Sequence, residues 1–325
     1  MANIIEIKDL VKKFGDFPAV NGISMSVKSG ELFGLLGPNG SGKTTIINII
    51  VSLLVATSGK VLVNGLDTLK YAEEIKKSIG VMTQETVVET DLTARENLEL
   101  FAELYQVPAK EIDKRVKDAL ELSDLTEFAD KKAGTFSGGM QRRLELVKSM
   151  IQSPKIMILD EPTSGLDVQN RTKLWARIKE LNKNGITIIL TTQYLEEADA
   201  LCDRIAIIDH GKIKAIGTSS ELKALLGQGN ILEIITKPER IKEVVQLLKK
   251  FNVDANIKVD RIVAVLGGKE PTKTFTKIAN AIEEAKIPVL TMSIHLPTLD
   301  DVFLELTGSK LRDETGEMKE KVRWR

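Results

Sequence analysis

A glycine-rich segment near the N-terminus has the residue types and spacing of a phosphate-binding loop. Residues 37–44 read GPNGSGKT, with two glycines, a lysine and a threonine in the order G-x-x-x-x-G-K-T. In this pattern backbone N–H groups turn towards phosphates, Lys43 reaches the terminal phosphates and the Thr44 hydroxyl binds Mg²⁺. The segment follows the apolar run ELFGLLG at 31–37 and precedes a helical pattern, as this mechanism requires. We therefore predict a nucleotide site here.

Two adjacent carboxylates follow another apolar run. In KIMILDEP, residues 155–162, Asp160 and Glu161 come directly after four apolar residues. An acidic pair in this position is often only a helix cap. A phosphate-binding loop upstream favours a catalytic role instead. Asp160 is then expected to hold Mg²⁺ through water. Glu161 is the candidate general base for the attacking water.

A second glycine-rich segment, GTFSGGMQRR at 134–143, precedes what reads as an amphipathic helix. Backbone N–H groups at such a helix start also form a site for phosphate. The segment can equally be a flexible turn followed by a helix that Ser137 caps. One domain does not need two phosphate sites, so the spacing raises the question of which phosphate this second site would bind.

Composition excludes several classes of protein. The chain has 325 residues, 42% hydrophobic and 28% charged, which is typical of a globular protein with room for two domains. Basic and acidic residues are equal at 46 each, so no global positive field indicates a nucleic-acid partner. A single cysteine, Cys202, suits a reducing cytosol, and two histidines, His210 and His295, make Cys/His metal sites improbable.

No stretch reaches the roughly 18 apolar residues of a membrane span. The most apolar run, IINIIVSLLVA at 46–56, is interrupted by Asn48 and Ser52, and the N-terminus lacks the apolar core of a signal peptide. We expect a cytoplasmic chain. If it serves a membrane, the spanning part belongs to another chain.

The elements that must position these residues follow an α/β pattern. Strands are predicted at 31–37, 155–162, 186–192 and 204–210, with a mainly helical insert at about 91–150 that opens with the capping box Thr93-x-x-Glu96. Beyond the glycines of LLGQGN we predict strand 230–236, helix 238–251, two strands within 256–266 that turn at Asp260, helix 272–286 and strand 288–295. This βαββαβ order indicates a ferredoxin-like α+β domain. The predicted domains are 1–226 and 230–307, followed by a charged tail at 308–325.

Several motifs together resemble one family. GLLGPNGSGKTT, Gln84, FSGGMQRRLELVKSMI, KIMILDEPTSGLD and TTQYLEEAD have the order and spacing of the ATP-binding-cassette (ABC) ATPases, over residues 4–217. TTQYLEEAD and LPTLDDVFLELTG resemble the drug-export branch that includes daunorubicin-resistance ATP-binding subunits. The resemblance implies a P-loop NTPase cassette with a helical insert, ATP and Mg²⁺ as cofactors, and ATP hydrolysis.

The resemblance also implies what the second glycine-rich segment binds. Cassettes of this family dimerise head to tail, so Ser137, Gly138 and Gly139 are expected to hold the γ-phosphate of the partner's ATP. Further roles implied by the family are adenine stacking for Phe14, phosphate contacts for Gly37, Pro38, Asn39, Gly40, Ser41, Gly42, Lys43 and Thr45, Mg²⁺ contacts for Thr44, Gln84 and Asp160, and contact with the opposite P-loop for Asp167.

Two positions depart from the family's pattern. Met140 stands where the signature usually has glutamine, so a polar contact from that side chain is lost. Gln193 stands where most cassettes have a histidine that contacts the γ-phosphate. Its amide can donate a hydrogen bond but cannot carry a proton. Because the drug-export branch shares this glutamine, we expect Gln193 to take over the catalytic contact.

The function expected from the sequence is therefore ATP hydrolysis in an exporter of drugs or other small hydrophobic molecules. A homodimer of cassettes would bind a separate integral membrane permease at the cytosolic face, through a groove of the helical insert. The alternative is a cassette ATPase that acts on nucleic acid or the ribosome. One cassette, balanced charge and the absence of sustained heptads count against that alternative.

Overall fold

The computed structural model describes residues 2–308 apart from 86, 228, 259–260 and 269. Two compact units follow each other along the chain, Met1–Thr218 and Ser219–Arg325. The division lies eight residues before the predicted end of the first domain at 226, because a short helix at 219–224 groups with the second unit. The predicted turn at Asp260 and the tail beyond 308 lie outside the described residues.

A six-stranded sheet forms the centre of the first unit. Its strands, in spatial order, are β10 (Lys212–Gly217), β9 (Arg204–Asp209), β3 (Leu32–Leu36), β8 (Thr187–Thr192), β7 (Ile156–Asp160) and β6 (Ile79–Met82). All neighbours pair in parallel except β9 and β10. Every residue of β3, β7 and β8 is buried, which explains their continuous apolar runs. The parallel pairing brings the ends of β3 and β7, and so both predicted catalytic segments, to one edge of the sheet.

A second, antiparallel sheet packs on the first. It contains β2 (Phe17–Lys28), β1 (Asn3–Phe14), β4 (Ser58–Val63) and β5 (Leu66–Asp67) in that order. Helix α1 (Lys43–Ile50) shares one apolar core with both sheets, and Ile5, Leu10, Ile46 and Ile158 are fully buried within it. The remaining helices that flank the sheets are α2 (Ala72–Ser78), α6 (Val168–Lys183) and α7 (Leu195–Leu201).

Three helices form a subdomain with a core of its own. They are α3 (Ala94–Leu104), α4 (Ala109–Leu122) and α5 (Gly138–Lys148). Leu98, Val116 and Leu144 are buried between them. The predicted capping box is confirmed: the Thr93 hydroxyl accepts from the Glu96 N–H at 3.1 Å, and the Glu96 carboxylate accepts from the Thr93 N–H at 2.7 Å. The chain therefore enters α3 through a well-defined N-cap.

The second unit contains a four-stranded antiparallel sheet. In spatial order its strands are β12 (Ala255–Lys258), β13 (Arg261–Leu266), β11 (Asn230–Thr236) and β14 (Val289–His295). Its helices are α8 (Ser219–Ala224), α9 (Ile241–Lys249), α10 (Pro271–Glu284) and α11 (Leu299–Thr307). Leu232, Ile234, Leu248 and Ile278 form its core. Among the residues described in both units, no helix combines the length and the apolar character needed to cross a membrane.

Candidate functional site

Two positions of the loop between β3 and α1 require glycine. A Cβ on Gly37 would lie 2.3 Å from the carbonyl oxygen of Ile208. Gly42 has φ +106°, and a Cβ there would lie 2.6 Å from the carbonyl oxygen of Ala19. Side chains at either position would therefore displace backbone, which keeps the loop narrow and its N–H groups accessible.

This loop forms one wall of a cavity of about 310 Å³. Phe14 and Phe17 lie on the other side as a cross-strand pair that flanks the two-residue turn of the β1–β2 hairpin. Both rings are more than half exposed, at 51% and 65%. The sequence indicated only Phe14, and its pairing with Phe17 is the signal that was missed. The lining residues are Phe14, Phe17, Ala19, Asn39, Gly40, Gly42, Lys43, Thr44, Thr45, Gln84 and Glu161.

Lys43 is buried at the base of the cavity. Its Nζ donates to the carbonyl oxygens of Gly37 at 2.9 Å and Pro38 at 3.2 Å. The same ammonium lies 3.6 Å from Oε1 of Glu161. A buried charge needs such compensation. The candidate phosphate-binding lysine and the candidate base are thus ion-paired across the site.

Glu161 has an unusual backbone conformation. Its φ of +47° lies in the left-handed region, which a residue with a Cβ adopts only at some cost in energy. Its N–H donates to both the carbonyl and the hydroxyl oxygen of Thr191, each at 3.1 Å. The Thr191 hydroxyl in turn donates to the Asp160 carboxylate. Thr191, which no spacing rule indicated, therefore holds the Asp160 carboxylate and the backbone N–H of Glu161 at the end of β7.

Gln193 reaches the site through Glu161. Its Nε2 lies 3.5 Å from Oε2 of Glu161, a long contact in which the amide donates to the carboxylate. Within the described part of the chain, Oε1 of Gln193 and the Ser41 hydroxyl are buried without a hydrogen-bond partner. Unpaired polar atoms inside a protein are costly unless a ligand pairs with them. Neither Gln193 nor Ser41 lines the cavity, although each is next to residues that do.

The second glycine-rich segment lies apart from this cavity. Ser137 is the N-cap of α5, and its hydroxyl accepts from the Met140 N–H at 3.3 Å. Gly139 packs so closely on α6 that a Cβ would lie 2.5 Å from the side chain of Asn170. Asp167 caps α6 by accepting from the Asn170 N–H at 2.9 Å. The structure therefore brings the signature segment and the SGLD segment of one chain together, and none of Ser137, Gly138, Gly139 and Asp167 lines the P-loop cavity.

Two features of this second surface follow from its contacts. Hydrogen bonds from Asn170 lower the pKa of Asp167, so its exposed carboxylate is ionised. Met140 packs against the core of the helical subdomain. An apolar side chain at that position thus has a packing role.

Glu197 lies on α7, shortly after Gln193, and bonds to Thr163 in the segment that follows Glu161. Its Oε1 accepts from the Thr163 hydroxyl and from the indole N–H of Trp175, each at 2.9 Å. The residue is fully buried, and desolvation raises the pKa of its carboxyl. Glu197 is the second glutamate of TTQYLEEAD, and the sequence did not indicate that it accepts these two hydrogen bonds.

The comparison with known proteins agrees with this geometry. A family model described as ABC transporter matches residues 20–164. The chain is 37% identical over 308 residues to the daunorubicin resistance ATP-binding protein DrrA3 of Streptomyces coeruleorubidus, covering 95% of this chain and 97% of that protein. The chain belongs to the ABC transporter ATP-binding proteins. It is also 36% identical to the linearmycin resistance ATP-binding protein LnrL of Bacillus subtilis, over 95% of this chain and 100% of that one.

A solved structure extends the match to the fold. A dimeric ATP-binding cassette in a post-hydrolysis state, bound to ADP and Pi, shares 29% identity with a TM-score of 0.59, covering 66% of this ABC chain and 98% of that one. The predicted cassette fold and family are confirmed, and the protein is an ATPase of this family. These relatives do not support the alternative of an ATPase acting on nucleic acid or the ribosome.

The site of this ABC protein fits ATP. The narrow glycine loop, the buried ammonium of Lys43 and two exposed aromatic rings suit a triphosphate with an attached base. For Mg²⁺, Thr44 and Gln84 line the cavity. Within the described ranges no three His, Cys, Asp or Glu side chains gather as a metal cluster. A Mg²⁺ ion here would need the phosphates as ligands, as is usual for Mg²⁺.

Proposed function

We propose that this ATPase is the energising subunit of an exporter of drugs or other small hydrophobic molecules. The observation that carries the proposal is the P-loop cavity with Lys43 and Glu161 facing each other, in a chain that matches antibiotic-resistance ATP-binding proteins over nearly its whole length. The transported molecule itself would contact the permease, a separate integral membrane protein. The cassette would lie peripherally on the cytoplasmic side of the membrane.

The residues divide into binding and catalytic groups. Lys43, Thr44, Thr45 and backbone N–H groups within residues 39–42 would hold the triphosphate, with Phe14 against the base. Thr44, Gln84 and Asp160 would hold Mg²⁺, which supplies charge compensation for the phosphates. Glu161 would take a proton from water, and Gln193 would orient that carboxylate through its amide.

Glu161 is placed to switch partners when nucleotide binds. In the chain itself Lys43 is ion-paired with Glu161 and bonded to the carbonyls of Gly37 and Pro38. The phosphate oxygens of ATP carry several negative charges and would compete with one carboxylate and two neutral carbonyls for the ammonium. The carboxylate then becomes available to water. Replacing Glu161 by Gln tests this role: we expect retained ATP binding and loss of turnover, and normal hydrolysis would exclude Glu161 as the base.

A head-to-tail homodimer would complete each site. Ser137 and Gly138 are exposed at the N-terminus of α5, where unpaired N–H groups attract an anion. Because this surface does not line the cavity of its own chain, a second copy would have to supply the nucleotide that it contacts. The dimeric state of the solved cassette with ADP and Pi supports this arrangement.

A second cavity, of about 370 Å³, suits the permease. It lies between the central sheet and the helical subdomain, and its lining is largely apolar. Leu53 on its rim is 68% exposed, and burial lowers the pKa of Lys148 on its wall, whose ammonium lies 4.2 Å from the centre of the Phe101 ring. An amphipathic helix of the permease would place its apolar face here. The lining residues are Val51, Leu53, Lys76, Ile79, Val81, Thr83, Val87, Phe101, Tyr105, Glu145, Lys148 and Ser149.

Co-expression with a candidate permease tests the whole proposal. The two chains should co-purify in detergent, and inside-out vesicles that contain both should accumulate a fluorescent hydrophobic drug when ATP is added. Leu53→Glu should reduce co-purification, whereas Leu69→Glu, at a residue that is 60% exposed outside the cavity, should not. Equal capture of both variants would exclude this cavity as the permease site.

A further inference from the structure

Arg142, on the signature helix α5, is buried beside the candidate base. Its guanidinium donates from Nε to the carbonyl oxygen of Pro162 at 3.0 Å and from Nη2 to the carbonyl oxygen of Glu161 at 3.0 Å. Nη1 donates to the carbonyl oxygen of Thr83 and to the Glu145 carboxylate, each at 2.8 Å. One side chain, only 3% exposed, therefore joins three separate backbone segments.

One of these contacts holds the backbone of Glu161 from its carbonyl side. Its left-handed backbone is unfavourable for a side chain with a Cβ and persists only where neighbouring groups hold it. Thr191 holds the N–H of Glu161 on one side. On the other side its carbonyl accepts from Arg142 and from the Ser164 N–H at 3.1 Å. The backbone of Glu161 is therefore held on both sides of its Cα, and the side chain starts from that atom.

We propose that Arg142 is a positioning residue, through which the signature helix sets the orientation of the catalytic base. The inference rests on the proposed role of Glu161 as the base. Ser137, which caps the same helix, would contact the partner's nucleotide, while Arg142 holds the base that acts on the nucleotide of its own chain. A shift of α5 on engaging the partner's nucleotide thus moves the carbonyl of Glu161 and, with it, the carboxylate.

The same guanidinium also fixes the segment that carries Gln84. The carbonyl of Thr83, directly before Gln84, accepts from Nη1. Glu145 balances the buried charge, and its other oxygen accepts from the Val87 N–H at 3.2 Å. Only a planar fork with several fixed donors can serve these acceptors together. Lysine, a single ammonium on a flexible stem, cannot replace it.

The test compares Arg142→Lys with wild type in steady-state ATP hydrolysis. We expect kcat to fall at least about tenfold because the base is misplaced, while KM for ATP and the affinity for ADP stay within about twofold. The matched control is Arg115→Lys. Arg115 also bonds a backbone carbonyl, that of Ile151 at 2.8 Å, and a glutamate, Glu111 at 2.7 Å, but it belongs to α4. Its kcat should stay within about twofold of wild type.

A second comparison separates positioning from a general loss of structure. In a Glu161→Gln background the base is already absent, so adding Arg142→Lys should lower the residual single-turnover rate by less than about twofold. An equal reduction in both backgrounds would overturn the inference. So would a folded Arg142→Lys protein with normal kcat, or one in which only KM rises. Normal hydrolysis by Glu161→Gln alone would instead contradict the proposed base.

Folding is checked by circular dichroism and ADP binding before kinetics. Should Arg142→Lys not fold, Glu145→Gln takes its place, because it weakens the anchor of the guanidinium and leaves every backbone acceptor present. It should lower kcat with an unchanged KM, and again only while Glu161 is present. Unchanged kcat in this folded variant would overturn the inference.

Discussion

Glu197 allows a sharp test of the interior of the cassette. Its carboxyl is fully buried and accepts from the Thr163 hydroxyl and the Trp175 indole N–H. Replacement by Ala removes the acceptor for the buried Thr163 hydroxyl and for the partly buried Trp175 indole N–H. At about 1–3 kcal/mol for each unsatisfied donor, the free energy of unfolding should fall by roughly 2–6 kcal/mol. Replacement by Gln keeps an acceptor oxygen in place and should cost about 1 kcal/mol or less at pH 4.5.

The comparison between wild type and Glu197→Gln should depend on pH. Burial raises the pKa of Glu197 above its ordinary value of 4.5. The unfolded chain therefore releases this proton at a lower pH than the folded chain does. Wild-type stability from this group is complete below about pH 4.5 and is lost as pH rises towards the folded pKa, by up to about 1.4 kcal/mol per pH unit. Because Gln does not titrate, the free energy of unfolding of Glu197→Gln should rise relative to that of wild type over this pH range.

Urea unfolding followed by the fluorescence of Trp175 measures both effects. The sequence has two tryptophans, so Trp324→Phe in every variant leaves Trp175 as the reporter. Unfolding curves at pH 5, 6, 7 and 8 give the difference in free energy between the variants. A constant difference between Glu197→Gln and wild type would refute the elevated pKa. Equal stability of Glu197→Ala and Glu197→Gln would refute the role of the two hydrogen bonds.

Three other predictions concern the ATP site. Lys43→Ala should weaken ATP binding at least about tenfold, since it removes a charged donor to the phosphates; equilibrium dialysis with labelled ATP checks this, and wild-type affinity would contradict it. Gln193→Ala should lower kcat about tenfold and change the affinity for ADP by less than about twofold. Gln193→His should keep its activity and add a titration near neutral pH, which a pH–rate profile would show. A chain truncated after Thr218 should fold and bind ATP, because every residue that lines the P-loop cavity precedes that position. A well-folded truncated chain that does not bind ATP in equilibrium dialysis would contradict this.

The sequence predicts those parts of the site that depend on local pattern and on parallel strands. The glycine loop and the Asp160–Glu161 pair each follow an apolar run, and the ends of parallel strands lie at one sheet edge, so their proximity could be foreseen. The capping box at Thr93 is likewise a local pattern. Contacts made by long side chains across the fold could not be foreseen. Arg142 bonds residues 59 and 20 positions away, and nothing in their spacing indicates it.

The division between the two units also depends on contacts that local sequence patterns do not predict. The glycines at 227 and 229 indicate a break, yet α8 already belongs to the second unit. Its residue Leu222 is buried, and the helix packs against α11, which lies some eighty positions later in the chain. Such a contact is decided by tertiary packing, which a local turn signal does not reveal. The ferredoxin-like assignment of the second unit stays a prediction.

The central claim is that the P-loop of one chain and the signature segment of another form one ATP site, and disulfide cross-linking tests it most directly. Asn39 and Ser137 are both exposed, so Asn39→Cys is introduced in one preparation and Ser137→Cys in another. Both carry Cys202→Ala, which removes the one native cysteine, and Glu161→Gln, which should retain ATP. A disulfide requires Cα atoms within about 7 Å of each other. On mild oxidation the mixture should form a covalent dimer with ATP and much less of it without ATP, while each preparation alone should form no covalent dimer. No dimer in the mixture, with ATP bound and both thiols reactive, would contradict the head-to-tail site.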